Sequence, residues 1–148
     1  MNRSTESGIE AAIAAQRDSY PDTGAVDVHT QFSVLLVDDS PVALRGMARV
    51  LRKHWEIDVA ACSDEALYLI RRNGYSVVIT DCDMPGRNGL WLLEQTRRHS
   101  PNTIRILTSA GEQERFAPYM KSGLIQCFLN KPLAGDALRN FVIGLMML

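Results

Sequence analysis

Residues 77–89 read VVITDCDMPGRNG, and the way this stretch changes character halfway sets the reading of the whole chain. Val77, Val78, Ile79 and Thr80 are apolar or β-branched, with no alternation of polar residues. Such a run is a strand covered on both faces, the habit of parallel sheets. It then meets Asp81, Cys82 and Asp83, and Met84-Pro85-Gly86 turns the chain away. Carboxylates are costly to place at the end of a buried element. A strand ending on two of them is either capping a helix or presenting acid to a ligand.

The same grammar repeats outward from this point. FSVLLV (32–37) is another continuous apolar strand. SPVALRGMARVLRKH (40–54) is helical, with Ser40 as N-cap, Pro41 in the first position and Leu44, Met47, Val50 and Leu51 on one face. IDVAAC (57–62) is a second strand; Ser63 caps DEALYLIRRN (64–73), and Gly74 ends it. SVVIT (76–80) is the third strand, and GLWLLEQTRRH (89–99) a helix stopped by Ser100-Pro101. TIRILTS (103–109) is the fourth strand. A helix within 112–122 contains Pro118, where it is predicted to kink or break. QCFLN (126–130) is the fifth strand, and AGDALRNFVIGLMML (134–148) closes the chain, with Leu138, Phe141, Val142 and Leu145 as its core stripe. Five strand–helix repeats imply an α/β fold, a doubly wound five-stranded parallel sheet in the order 2-1-3-4-5. Residues 1–31 differ: Ser, Thr, Gly and Asp are frequent, and only IEAAIAAQ (9–16) has helical character. A piece that short is marginal alone, so 1–31 is predicted to be a flexible N-terminal tail before a domain spanning 32–148.

Composition narrows the function classes. A chain of 148 residues, 46% hydrophobic and 22% charged, suits one good core. A net charge of -1 gives no global attraction to nucleic acid or an anionic membrane, and Arg71-Arg72 and Arg97-Arg98 read as solvated helix faces. No apolar run approaches the ~20 residues of a membrane span, and no signal-peptide core opens the chain, so a cytoplasmic protein is expected. Cys62, Cys82 and Cys127 lack CxxC spacing and are expected as free, mostly buried thiols. His29, His54 and His99 show no metal-ligand spacing and read as surface or linker residues.

In a parallel sheet the C-terminal strand ends meet along one edge, where ligands bind. The first strand ends in Asp38 and Asp39, the third in Asp81, the fourth in Thr108 and Ser109, the fifth in Asn130, Lys131 and Pro132. In the order 2-1-3-4-5 the first and third strands are neighbours, so three carboxylates collect at the switch point. Close carboxylates resist ionisation together, and a hard divalent cation such as Mg²⁺ resolves the conflict. Lys131 adds a mobile positive charge and Thr108 a hydroxyl donor. Metal, ammonium and hydroxyl together hold a phosphoryl group, and a central carboxylate can itself accept one as an aspartyl phosphate. One Asp after a strand is ordinarily a helix cap; features of this kind on four of five strand ends point to a site.

These residues resemble a known family. VLLVDDSPVALR, VVITDCDMPGRNGLWLLE, RILTSA and CFLNKPL are together similar to the receiver domain of two-component response regulators, over residues 32 to about 146. The resemblance implies a flavodoxin-like (βα)5 fold with Asp81 as phosphoacceptor. It implies that Asp39 binds Mg²⁺ directly, that Asp38 supports it, and that Asp83 offers its backbone carbonyl. Thr108 would hydrogen-bond the phosphoryl group and Lys131 would pair with it, across a cis Lys131-Pro132 peptide. Phe128 takes the aromatic switch position, turning inward as Thr108 moves. The donor would be a phosphohistidine on a histidine kinase or phosphotransfer protein. GLIQCFLNKPL, one residue longer from Gly123 to Phe128 than chemotaxis-type receivers, is closer to receivers of HD-GYP phosphodiesterases and of hydrogenase-type activators. The reading leaves open a stand-alone receiver or a piece of a longer chain. Ile143, Met147 and Leu148, apolar but off the core stripe, point to a homodimer or output-domain contact through the last helix.

Two rivals stand beside this reading. Asp81-x-Asp83 after an apolar strand, then Thr108 and Lys131, also outlines a haloacid-dehalogenase-like phosphatase, with Asp81 as nucleophile and Asp83 as general acid. Pro85 falls where that family usually puts Thr or Val, and its acidic pair comes late in the chain rather than at Asp38-Asp39. The other rival is a binding module of the same fold that never takes phosphate.

Overall fold

The computed structural model describes residues 32–133 and 135–147; the tail expected over 1–31, with His29, lies outside them, as does Leu148. Five strands, β1 (Ser33–Val37), β2 (Glu56–Ala60), β3 (Val77–Asp81), β4 (Ile104–Ser109) and β5 (Cys127–Asn130), form one parallel sheet in the order β2-β1-β3-β4-β5. The helices are α1 (Pro41–Leu51), α2 (Ser63–Arg72), α3 (Gly89–His99), α4 (Ala117–Lys121) and α5 (Gly135–Met147), with a 3₁₀ turn at Gln113–Phe116. This is the doubly wound, flavodoxin-like architecture read from the sequence.

The uninterrupted apolar strands have their reason in the two cores. On one face Val34, Leu36, Val77, Ile79, Ile104 and Ile106 pack beneath α1 and α5. On the other, Leu35, Val37, Val78 and Leu107 pack beneath α2, α3 and Phe116. Alternate side chains of a strand serve opposite faces, so a strand buried twice shows no polar alternation.

Several boundaries differ from the sequence reading. Ser40 does cap α1, its hydroxyl accepting from the Ala43 amide at 3.2 Å. Ser63 does not cap α2. It is the first helical residue, Cys62 sits in the cap position without a side-chain bond, and the Ser63 hydroxyl donates to the Asn88 carbonyl at 3.2 Å. The cap of α3 is Asn88, which accepts from the Trp91 amide at 3.0 Å. The helix expected within 112–122 is divided: proline has no amide for an interior helical bond, so Pro118 sits in the first turn of a new helix after the 3₁₀ turn. On α5, Leu138, Val142 and Leu145 are buried and Phe141 is partly so. Ile143 is not off the stripe as expected but packs on the same cluster, whereas Met147 is 80% exposed. Among the described residues His54 and His99 are exposed, and the thiols are free, with Cys62 exposed and Cys82 and Cys127 buried.

Candidate functional site

β1, β3 and β5 bring the predicted residues to one edge. Asp38 is buried, at 1% exposure, and held from two sides. Its Oδ1 accepts from the Ser40 amide at 2.9 Å, and its Oδ2 accepts from Lys131 Nζ at 2.6 Å. Lys131 Nζ also lies 3.4 Å from Asp81 Oδ2, so one ammonium bridges the ends of β1 and β3. Asp81 is 6% exposed; Asp39 beside it is exposed. The Lys131-Pro132 peptide is cis, and the Lys131 amide donates to the Ser109 carbonyl at 3.0 Å.

Electrostatics follow from this burial. Burial raises the Asp81 carboxyl above its ordinary range; Lys131 and the Asp83 amide oppose the rise, and Asp38 adds to it. Burial alone would lower the Lys131 ammonium, but the hydrogen bond and charge of Asp38, with Asp81 behind, hold it above its ordinary value.

Oxygens of Asp38, Asp39 and Asp81 lie within 4.8 Å of one another. Three hard anionic donors converge there against one ammonium, with Asp39 open to solvent. The donor set therefore fits an oxygen-loving divalent cation that keeps some of its waters. The Asp83 carboxylate stands apart from this group, 3.5 Å from Arg115 of the 3₁₀ turn. Thr108 lies opposite Asp81 in the β3–β4 register, and its hydroxyl donates to the Thr80 carbonyl at 3.4 Å. Phe128 is partly buried against Phe116, ring centroids 5.3 Å apart.

The sequence reading missed what fixes the Asp81 backbone. A Cβ on Gly89 would collide with the Asp81 carbonyl oxygen and come within 3.0 Å of Cys82 Cα, and the Gly89 amide donates to the Cys82 carbonyl at 3.0 Å. The available signal was a poor helix former at the first position of α3. Gly86 turns the intervening loop at φ 79°, in the left-handed region that favours glycine. A cleft of about 560 Å³ opens beside the acids, walled by Val42, Gly46 and Met47 of α1, by Pro132 and Leu133, and by Asp38 and Lys131 themselves.

The family model described as "Response regulator receiver domain" matches residues 34–143. This chain is a response regulator receiver domain. It is 31% identical over 114 residues to the hydrogenase transcriptional regulatory protein HoxA of Cupriavidus necator, covering 76% of this chain. It is 32% identical over 103 residues to the two-component response regulator ARR11 of Arabidopsis thaliana, covering 68% of this chain. The receiver spans only 23% and 20% of the lengths of these two relatives. Among solved structures, the signal receiver domain of an HD domain-containing protein from Pseudomonas fluorescens superposes with a TM-score of 0.73 at 24% identity, covering 83% of this chain and 92% of that one. Chemotaxis protein CheY4 of Vibrio cholerae does so at 0.72 and 23% identity, covering 77% and 98%. The two low-identity superpositions speak for the fold. A hydrogenase regulator, a type named in the sequence reading, thus stands among the relatives. Among the described residues no helix is long and apolar enough to cross a membrane.

Proposed function

We propose that this receiver accepts a phosphoryl group on the Asp81 carboxylate from a phosphohistidine of a histidine kinase or phosphotransfer protein. The P–N bond to the imidazole breaks as the P–O bond to Asp81 forms, and the imidazole leaves with the bonding pair. The observation that carries this reading is Lys131 bridging Asp38 and Asp81 across two strand ends. An ammonium so placed can follow negative charge from the free carboxylate to a phosphoryl oxygen. Asp38, Asp39, Asp81 and the Asp83 carbonyl would hold Mg²⁺, which when bound supplies charge neutralisation at the phosphoryl oxygens. The Thr108 hydroxyl would leave the Thr80 carbonyl for a phosphoryl oxygen, and Phe128 would follow inward to alter the partner or dimer contacts of β5 and α5.

The domain is proposed to run from 32 to 148, with 1–31 as a tail ahead of it. The product is one stoichiometric acyl phosphate rather than turnover of an outside phosphomonoester. The phosphatase alternative is not favoured, because the carboxylates beside Asp81 come from the end of β1.

Phosphoramidate with Mg²⁺ tests the reading. The full chain should gain one hydroxylamine-labile phosphoryl group by intact mass, Asp81→Asn should gain none, and chelation should stop the reaction. Undiminished labelling of Asp81→Asn would overturn the assignment.

A further inference from the structure

We infer that Arg115 is a positioning residue of the phosphoryl-transfer site: it couples the loop that carries Asp83 to the Phe128 ring, by way of Phe116. Its guanidinium meets three separate parts of the fold. Nη2 lies 3.5 Å from Asp83 Oδ1, on the loop after β3. Nη1 passes over Gly111, just beyond β4, where a Cβ would stand 3.7 Å away. The guanidinium carbon sits 4.9 Å from the centroid of the Phe116 ring. Phe116 in turn packs on Phe128 of β5, with centroids 5.3 Å and planes 31° apart. One side chain and one ring thus span the distance from the end of β3 to β5.

The near end of this arm is at the phosphoacceptor. Asp83 turns both ways: its amide faces the Asp81 carboxyl and opposes the rise in its pKa, while its carboxylate faces Arg115. Burial raises the Cys82 thiol, Asp83 adds to the rise and Arg115 opposes it, so the guanidinium charge is felt one residue from Asp81. A phosphoryl group on Asp81 replaces a single negative charge by about two, on three acceptor oxygens. The planar donor fork of arginine suits such an anion better than one carboxylate oxygen.

The far end is built to respond. Arg115 and Phe116 are consecutive residues of one tight 3₁₀ turn, so they move together. Phe116 is fully buried, and Phe128 only partly. Rings in a close-packed core have discrete arrangements rather than a continuum, so a shift of Phe116 repositions Phe128. The Asp83–Arg115 pair is not there for stability. Its side chains are 60% and 56% exposed, and pairs so placed contribute little. A weak pair is an exchangeable one, which yields when a stronger anion forms beside it. The arm stands on the geometry above; only its response to phosphoryl transfer rests on the reading of Asp81.

Fluorine NMR of the full chain with para-fluorophenylalanine in place of Phe128 tests the coupling. In the resting protein, Asp83→Asn and Arg115→Gln should displace the resonance in the same direction, and the double variant no further than either alone. In a Phe116→Leu background Asp83→Asn should leave the resonance where it is, whereas a direct field of the carboxylate would act with or without the ring. Silence of Asp83→Asn, additive displacements, or an undiminished effect in the Phe116→Leu background would overturn the proposal. Beryllofluoride with Mg²⁺ places a tetrahedral phosphoryl stand-in on a carboxylate. It should displace the resonance of the otherwise native chain, and Asp83→Asn or Arg115→Gln should shrink that displacement several-fold. Equal displacement in all three, or none in a native chain that phosphoramidate labels at Asp81, would also overturn it. A native chain that neither takes label nor responds to beryllofluoride would fault the Asp81 assignment, and the resting-state comparison would still decide the arm.

Discussion

Asp81 is pulled two ways: chemistry needs it as a carboxylate, and its surroundings resist the charge. Burial raises its pKa, and Lys131 offsets this only in part. The folded state therefore retains a proton on Asp81 at pH values where the unfolded chain has lost it. More protons bound in the folded state means that stability falls as pH rises from the ordinary carboxylate value of 3.8 through the raised one. Without divalent cation, Asp81→Asn should thus melt above the native chain at pH 7, since it removes the cost of ionising a buried carboxyl. The gain should vanish below the ordinary carboxylate value, where both states are protonated. Thermal melts of the two proteins from pH 3 to 7 check this, and a variant that melts lower at pH 7 would contradict it. Asp38, Asp39, Asp81, Thr108 and Lys131 were legible in the sequence because parallel strand ends converge whatever the loops do. Gly89 and the Asp83–Arg115 pair were not, because they depend on the path of two loops that periodicity does not describe.

At the scale of elements, one strand residue holds together parts that the sequence pattern left unconnected. Arg105 is the second residue of β4, is 5% exposed, and has no carboxylate partner among the described residues. Its Nε donates to the Leu124 carbonyl at 3.0 Å, Nη2 to Gly123 at 3.1 Å, and Nη1 to Pro101 and Thr103 at 3.2 Å each. It thereby ties the turn after α3 to the turn after α4, where Gly123 takes a φ of 80°. Burial, with Arg97 nearby, lowers its pKa to about 10, still far above neutrality, so the guanidinium stays charged and the carbonyls take the place of water. Arg105→Met should cost about 3 kcal/mol, since it orphans several buried acceptors at once. Arg105→Lys should recover little, because an ammonium cannot reach acceptors on both sides of a planar fork. Urea titrations of both variants measure this, and full rescue by lysine would show that charge rather than the fork matters. A charged residue inside an apolar strand was the visible sign of this clamp. The α2 cap was misread for a related reason: Ser63 fits the capping preference, but its hydroxyl is taken by the Asn88 carbonyl of another loop.

For the whole molecule, sheet order could be read before any contact was known, because the fully apolar strands admit only a covered parallel sheet and right-handed crossovers leave few ways to wind it. That order has a thermodynamic consequence. The three carboxylates come from β1 and β3, which are far apart in sequence and adjacent only when folded. An unfolded chain has no such constellation, so a cation bound there is bound by the folded state alone. Its binding energy then appears as folding stability, RT ln(1 + [L]/Kd), or about 2.7 kcal/mol at a hundredfold excess over Kd. The melting temperature of the receiver should rise with the logarithm of Mg²⁺ concentration once the site begins to fill, and chelator should return it to its starting value. Asp39→Asn should flatten that dependence without lowering the metal-free melting temperature, because Asp39 is exposed and leaves the Asp38–Lys131 pair in place. A mere screening effect would behave differently: sodium at matched ionic strength would reproduce the shift, and Asp39→Asn would retain it. Scanning calorimetry of both proteins across the two salts separates these outcomes, and a shift that sodium reproduces in full would remove the metal from this account.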